Sequence, residues 1–196
     1  MKKLVLGSVA LILLASLTGC SPANDKLSSQ FREGSNKNYI AGDGSVSEYA
    51  ASDRVTPQPW AGVTESGVAL SSDMLSGVVT VVNFWYAGCA PCRAEAKDLA
   101  RLSGEFERDG VQFVGVNVRD TAPTAQAFDR TFGIKYPSII DAQTGSVVLA
   151  FTGVVSPQAV PTTLVIDKQG RVASRILGRL EYGTLKALIK TVVAEK

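Results

Sequence analysis

Residues 83–95 read NFWYAGCAPCRAE and place two cysteines directly after a strongly apolar segment. That segment, residues 78–85, is rich in β-branched side chains and predicts a buried central strand. Pro91 suits the first turn of a helix, and we expect this helix to continue to about Asp109, where Gly110 ends it. The two cysteines therefore lie where a buried strand meets the N-terminus of a helix.

The spacing of Cys89 and Cys92 indicates a reactive dithiol. At a helix N-terminus, unpaired backbone N–H groups and the helix dipole stabilise a thiolate. We therefore expect a lowered pKa for Cys89, which makes it the attacking nucleophile, with Cys92 as the shielded resolving thiol. Such a pair exchanges with a substrate disulfide through a mixed disulfide and needs no cofactor. The alternative is an inert structural disulfide, but a bridge across so short a loop constrains the unfolded chain little.

One face of the predicted helix consists of five positions at steps of three and four: Cys92, Glu95, Leu99, Leu102 and Phe106. Glu95 is the charged member of this apolar face. A carboxyl group buried beside a thiol has a raised pKa and could move a proton to or from Cys92. Alternatively, Glu95 lies at the margin of the face and reaches solvent. The spacing alone favours neither interpretation.

The rest of the sequence predicts an α/β domain over residues 60–196. Apolar strand-like runs alternate with amphipathic helical segments in the order β-α-β-α-β-β-α. A turn at residues 168–171 predicts a late hairpin that adds an antiparallel edge to the sheet. An irregular or helical stretch at residues 144–151 precedes the third strand. The further predicted strands are residues 111–118, 163–167 and 172–177, and the further predicted helices are residues 122–132 and 181–194.

Residues 1–19 have the layout of an export signal. Two lysines precede an apolar run at residues 4–17, which is shorter than the about 20 residues that a membrane-spanning helix needs. A permanent transmembrane helix is therefore the less favoured alternative. Cys20 follows a Leu-Thr-Gly tripeptide, which resembles the lipobox of bacterial lipoproteins. This resemblance implies that the signal is removed, that Cys20 is acylated, and that the protein is lipid-anchored on the extracytoplasmic face of the cell membrane.

Residues 20–59 predict a flexible tether behind the lipid. The segment is dominated by Ser, Asn, Gly, Asp and Pro and has few large apolar residues to bury. Part of it could dock on the domain, and the sequence leaves this open. With Cys20 assigned to the lipid, Cys89 and Cys92 are the remaining thiols in a compartment where disulfides persist.

Composition excludes several kinds of site. The 196 residues include no histidine and three cysteines, so one chain cannot supply the four ligands usual for structural zinc or for an iron–sulfur cluster. Ser-His-Asp and Cys-His catalysis lack their base. We therefore expect no metal and no cofactor. Without Lys2 and Lys3, 18 basic residues balance 18 acidic ones, which gives no reason to expect a nucleic-acid partner.

Residues 83–95, together with Val160-Pro161-Thr162-Thr163-Leu164 about 70 residues later, resemble the thioredoxin superfamily. Within it the sequence is similar to the membrane-anchored TlpA-like and ResA-like branch. The resemblance covers about residues 60–196. It implies a thioredoxin fold, a central mixed β-sheet flanked by helices, with an insertion at residues 120–151.

The resemblance also implies roles for individual residues. Cys89 becomes the exposed nucleophile, Cys92 its buried partner and Glu95 the active-site glutamate. Pro161 takes the place of the family's cis-proline, although only about 5% of X-Pro bonds in folded proteins are cis. Asn83 stands where thioredoxin has a buried aspartate, which leaves Glu95 to carry the proton. The expected substrate-binding residues are Trp85, Ala90, Pro91, Val160 and Pro161.

By this resemblance, the protein is a reductase that keeps the haem-attachment cysteines of apocytochrome c reduced during cytochrome c maturation, with electrons from a membrane thiol-disulfide transporter. A general reductase or an oxidant of exported proteins is the alternative within the same chemistry. A thioredoxin-fold copper chaperone would need a histidine and wider cysteine spacing, and a peroxidase a threonine ahead of Cys89. A binding lipoprotein with an unused disulfide is the remaining alternative.

Overall fold

The computed structural model describes residues 45–154 and 159–195. The predicted signal, Cys20 and most of the predicted tether lie outside these residues. Within the described part of the chain, no helix is both long and apolar enough to cross a membrane.

The described residues form a mixed α/β domain around a six-stranded sheet in the order β1-β8-β7-β4-β5-β6. Strands β4, β5 and β6 are parallel, whereas β7 is antiparallel to β4, β8 to β7 and β1 to β8. A separate hairpin joins β2 and β3. The strands are β1 (Val46–Glu48), β2 (Ala61–Val63), β3 (Ala69–Ser71), β4 (Thr80–Trp85), β5 (Gln112–Asn117), β6 (Ser138–Ile140), β7 (Thr162–Ile166) and β8 (Val172–Leu177), and the helices are α1 (Ala90–Phe106), α2 (Ala122–Phe132), α3 (Ser146–Ala150) and α4 (Tyr182–Val193).

Strand β4 lies at the centre of the sheet, and all six of its residues are buried. Successive side chains of a strand point to opposite faces, and Val81 and Val82 accordingly belong to different apolar clusters. The cluster with Val81 includes the buried faces of α1 and α4. The cluster with Val82 includes Phe84 and Phe151. This central position presents the end of β4 to the start of α1, where the two cysteines lie.

The predicted α/β order is confirmed, and most boundaries agree within two residues. Helix α1 ends at Phe106, a single 3-10 turn follows at Glu107–Asp109, and Gly110 adopts φ 75° in the left-handed region. The stretch predicted as irregular or helical contains α3. The predicted insertion contains α2, β6 and α3, and β6 extends the sheet beside β5.

Residues 45–59 differ from the predicted flexible tether. Strand β1 pairs with β8 and forms one edge of the sheet, and the backbone N–H of Gln58 donates to the carbonyl of Ala150. The Arg54 guanidinium donates to Asp167 at 3.0 Å and to Glu195 at 2.6 Å. Backbone pairing and one buried cation attach this segment, and neither depends on the large apolar residues that the composition lacks.

Candidate active site

Cys89 is the N-cap residue of α1 and is joined to Cys92 by a disulfide whose Cα atoms lie 5.3 Å apart. A short turn connects it to β4, closed by the Cys89 N–H donating to the carbonyl of Tyr86 at 3.2 Å. The backbone N–H of Cys92 donates to Sγ of Cys89 at 3.2 Å. The sulfur of Cys89 therefore already receives a hydrogen bond from the helix N-terminus, the interaction that stabilises a thiolate there.

Both cysteines are buried, Cys89 with 0% and Cys92 with 2% of its surface exposed. The expectation of an exposed Cys89 is therefore wrong for this disulfide-bonded structure. The physical reason is that the two cysteines pack within an apolar cluster that includes Tyr86 and Val160. Of the residues between the cysteines, Ala90 is exposed and Pro91 half-buried.

The Val160–Pro161 peptide bond is cis, as the resemblance implies. Both residues are buried, and the carbonyl of Pro161 accepts a hydrogen bond from the N–H of Gly178 at 2.8 Å. Val160 contacts the cluster around the disulfide. The structure thus brings the second sequence motif to the first, across about 70 residues of chain.

Trp85 is buried, with its ring 4.3 Å from that of Phe128 between centroids. Its indole N–H donates to Oγ of Ser138 at 3.2 Å. Gly115 lies beside this pair, and a Cβ at that position would overlap Ser138. Trp85 therefore connects the active-site strand to the insertion, so its accessible contribution to a substrate surface is small.

Glu95 is fully buried, and each of its carboxylate oxygens accepts one hydrogen bond. Nδ2 of Asn83 donates to Oε1 at 3.0 Å, and the backbone N–H of Leu180 donates to Oε2 at 2.9 Å. Burial raises the pKa of Glu95 to about 8, although both hydrogen bonds act in the opposite direction. The alternative in which Glu95 reaches solvent is therefore wrong.

Asn83 organises the surroundings of Glu95 without adding a charge. Its amide also donates to Oγ1 of Thr163 at 3.0 Å, and Thr163 is its cross-strand neighbour on β7. An aspartate at position 83 would place a second carboxylate against Glu95, and two adjacent carboxylates do not both ionise readily. Asparagine avoids this competition and leaves Glu95 as the titrating group of the pair.

Two contributions to the site were not predicted from the sequence. The Leu180 N–H comes from the turn before α4, where a backbone donor has no sequence signature. Asp120 accepts hydrogen bonds from the Ala87 N–H at 2.6 Å and from Nδ2 of Asn117 at 2.8 Å. Asp120 thereby fixes the turn ahead of Cys89. Its position just after a parallel strand, at the sheet edge where sites form, is the available signal.

A family profile described as the AhpC/TSA family matches residues 58–175. The chain belongs to the AhpC/TSA family. The buried disulfide, the fully buried Glu95 and the cis Val160–Pro161 bond all lie within the matched segment.

Relatives of this AhpC/TSA member carry names that refer to thiol–disulfide chemistry. The chain is 35% identical over 123 residues to the thiol:disulfide interchange protein HelX of Rhodobacter capsulatus, covering 63% of this chain and 65% of HelX. It is 30% identical over 129 residues to the thiol-disulfide oxidoreductase ResA of Halalkalibacterium halodurans, covering 66% of this chain and 70% of that protein. The match to HelX thus spans slightly less than two thirds of that relative.

A solved structure confirms the thioredoxin-like fold. The secreted thiol-disulfide isomerase of Corynebacterium glutamicum superposes with a TM-score of 0.71 and 29% sequence identity. The superposition covers 80% of this chain and 97% of that one. The mixed sheet flanked by helices, predicted from the two sequence motifs, is therefore the fold of this AhpC/TSA member.

Proposed function

We propose that this protein is a lipid-anchored, extracytoplasmic thiol-disulfide oxidoreductase that works as a reductase. The observation that carries the proposal is the Cys89–Cys92 disulfide at the start of α1, with the buried Glu95 on the same face of that helix. The names of the relatives HelX and ResA support this chemistry. The secreted structural neighbour supports a location outside the cytoplasm.

The proposed reaction begins from the reduced pair. The thiolate of Cys89 attacks one sulfur of a substrate disulfide, and the other substrate sulfur leaves as a thiolate and takes up a proton. Cys92 then loses its proton and attacks Sγ of Cys89, which releases the second substrate sulfur. Two electrons pass to the substrate, and the protein keeps the disulfide that the structure contains.

Glu95 is proposed to hold the proton that Cys92 gives up and takes back. It lies one turn after Cys92 on the buried face of α1. A carboxyl group with a pKa of about 8 changes its protonation state close to neutral pH, where general acid–base transfer is most effective. Its two hydrogen-bond partners, Asn83 and the Leu180 N–H, keep the carboxyl group in place.

Substrate binding is proposed at the start of α1 and the cis-proline loop. Ala90 and Pro91 offer the accessible edge, while Val160 and Pro161 form the buried wall behind the disulfide. Cys89 is buried in the oxidised protein. Sγ of the reduced Cys89 therefore has to become accessible beside Val160 and Pro161 before it can attack a substrate. The proposed substrate is the disulfide of apocytochrome c, and the proposed electron donor is a membrane thiol-disulfide transporter.

A trapping experiment tests the substrate. Cys92→Ser removes the resolving thiol, so Cys89 stays bound to its substrate as a mixed disulfide. In cells that make c-type cytochromes, we expect apocytochrome c to be covalently attached, as identified by mass spectrometry after non-reducing separation. A variant that also carries Cys89→Ser is the matched control and should trap nothing. If many exported proteins are trapped and apocytochrome c is not among them, the protein is a general oxidoreductase of exported proteins instead.

The membrane anchor is tested separately at Cys20. Cys20→Ala removes the proposed acylation site and should move the protein from the membrane fraction to the soluble extract, as followed by immunoblotting. Each buried acyl methylene contributes about 0.8 kcal/mol to membrane binding, so loss of the lipid is a large effect. An unchanged distribution between the two fractions contradicts the anchor and leaves the dithiol chemistry untouched.

A further inference from the structure

A small cavity lies against Cys92, and Glu95 is not among the residues that line it. The centre of a water molecule can occupy about 10 Å³ of this cavity, which is room for one water. Its polar lining comes from Asn83, Ser138, Tyr136 and Asp129. A buried water needs two to four polar partners, and this lining offers them beside the thiol.

Asp129 is the carboxyl group of this cavity. It lies on α2, in the insertion, and its Oδ1 is buried without a hydrogen bond from any residue of the described ranges. The residue as a whole is only half-buried. Asp129 therefore borders both the cavity and the solvent, whereas Glu95 has no exposed surface at all.

The charges around Asp129 favour a group that titrates near neutral pH. Burial raises the pKa of Asp129 to about 7, and the negative charge of Glu65 on the β2–β3 hairpin adds to this. Arg130, its neighbour on α2, acts in the opposite direction. Tyr136 also faces it, and burial keeps that phenol protonated by raising its pKa. From α1 the cavity is lined by Cys92, Ala96 and Leu99, and of these three only Cys92 has a titratable side chain.

We propose that Asp129 is a second proton-exchanging carboxyl group for Cys92, acting through one water molecule bound in this cavity. The inference rests on the proposed thiol–disulfide exchange and adds a route for its proton. On this route, which is parallel to the transfer to Glu95, the single proton of Cys92 passes to the water as the thiolate forms, and the water gives a proton to Oδ1 of Asp129. Asp129 then releases that proton to solvent. In the reverse reaction the carboxylic acid returns it as Cys92 leaves the disulfide.

This route assigns different tasks to the two carboxyl groups. Both oxygens of Glu95 already accept hydrogen bonds from Asn83 and Leu180, so Glu95 is well placed to hold a proton and poorly placed to pass it outward. Oδ1 of Asp129 receives no hydrogen bond within the described residues, so it can accept one from the cavity water. Asp129 is a positioning and proton-exchanging residue that acts through the water.

The experiment follows the resolving step in the full-length protein. Reduced protein reacts with an aromatic disulfide reagent, and the second equivalent of released aromatic thiol reports the attack of Cys92 on the mixed disulfide. We expect the rate of this step to show an inflection near pH 7 that Asp129→Asn removes, with a rate about tenfold lower at that pH. In a Cys89→Ser background, the same change should lower the pKa of Cys92 by about one unit, because a nearby negative charge is lost.

Two further variants make the result specific. Ala96 lines the cavity, so Ala96→Val should displace the water and remove the inflection while Asp129 stays in place. Asp109→Asn removes an exposed carboxylate from the 3-10 turn after α1, which does not line the cavity, and should keep the inflection. Loss of the inflection in both Asp129→Asn and Ala96→Val supports the route.

The opposite results are equally distinct. An unchanged profile in Asp129→Asn overturns the inference while the exchange activity stands. A change in Asp129→Asn without one in Ala96→Val overturns the water-mediated route. A wild-type protein that never releases the second equivalent overturns the proposed exchange and this inference together.

Discussion

Glu95 and Asp167 are both almost completely withdrawn from water, with 0% and 2% of their surfaces exposed, yet the pKa of Glu95 is raised and the pKa of Asp167 is lowered. Burial raises the pKa of Glu95 to about 8, and its hydrogen-bond donors are neutral groups. Burial acts on Asp167 in the same direction, but hydrogen bonds from the Arg171 backbone and from Arg54, with the charge of Arg171, lower its pKa overall. Asp167 has the charged partners Arg54 and Arg171, whereas neither hydrogen-bond donor to Glu95 is charged, and this difference accounts for the lowered pKa of Asp167.

The two carboxyl groups lie in regions with different roles: Glu95 lies beside the dithiol, and Asp167 attaches the segment before Trp60 to the domain. The carboxyl group beside the dithiol can gain and lose a proton near neutral pH. The carboxylate at the β7–β8 turn stays ionised and holds the segment before Trp60 through Arg54. Changes in the attachment region should therefore affect stability, and changes in the active-site region should affect rate and pH dependence.

The largest effect on stability is expected for Arg54→Met. This change removes the cation that joins Asp167 to Glu195. Asp167 is buried but keeps Arg171, and Glu195 is partly exposed, so the loss should be about 2 kcal/mol, less than the about 3 kcal/mol of a buried pair that leaves an unpaired charge. Denaturant unfolding should show this loss, while the rate of thiol exchange at 25 °C stays the same. The matched control is Arg101→Met, which removes an exposed pair with Glu105 worth less than about 1 kcal/mol. Equal losses in the two variants would contradict the attachment role.

Glu95→Gln should have the largest effect on catalysis. Glutamine cannot hold or release the proton and can accept only through one oxygen, so the resolving step should slow about tenfold or more. Its pH profile should lose the inflection near pH 8 that Glu95 contributes. Stopped-flow measurement of the resolving step checks this, with Glu107→Gln on the exposed 3-10 turn as the control. Identical profiles in Glu95→Gln and wild type would contradict the proton role.

The same two residues predict opposite slopes of stability against pH. Folding holds the proton of Glu95 more tightly than the unfolded chain does, so the free energy of unfolding should fall between about pH 4.5 and pH 8. Asp167 has a lowered pKa in the folded protein, so its contribution is present above pH 3.8 and is lost on acidification. Glu95→Gln should flatten the first slope, by about 1 kcal/mol per pH unit. Asp167→Asn should flatten only the acid limb. An unaltered slope in Glu95→Gln would show that Glu95 is ionised throughout.

The smallest effect is expected at the surface pair of Lys186 and Glu105. A hydrogen bond from Lys186, followed by one from Tyr182, lowers the pKa of Glu105 to about 2. Lys186→Met should return the carboxyl pKa towards its usual value, as NMR titration would show. Unfolding should be unchanged within error, because exposed pairs contribute little. A marked loss of stability would contradict this and mean that the exposed Lys186–Glu105 pair contributes as much to the free energy of unfolding as the buried pair at Asp167.

The sequence predicts the parts of this domain that carry long patterns. Strand β4 and helices α1 and α2 follow from apolar periodicity, and the two motifs around Cys89 and Pro161 indicate the fold. The three-residue strands β1, β2, β3 and β6 were not predicted, because such short segments hold no periodicity. Strand β1 is attached by backbone pairing, which any composition can supply.

The sequence also predicts only part of the candidate site. Spacing places Cys92 and Glu95 on one helix face, but it leaves open whether Glu95 is buried. The answer depends on the Leu180 N–H and on Asn83, which meet Glu95 only after folding. Asp129 gives no signal in the sequence, because its position depends on how α2 packs beside Cys92.

The most direct test of the proposed reductase is the reduction potential of the Cys89–Cys92 pair in the full-length protein, measured by equilibration with thiol buffers and trapping of free thiols. We expect a value near that of thioredoxin, about −270 mV, at which the pair reduces most exchangeable disulfides. A value near that of DsbA, about −120 mV, would contradict it and show a protein that gives its disulfide to exported substrates.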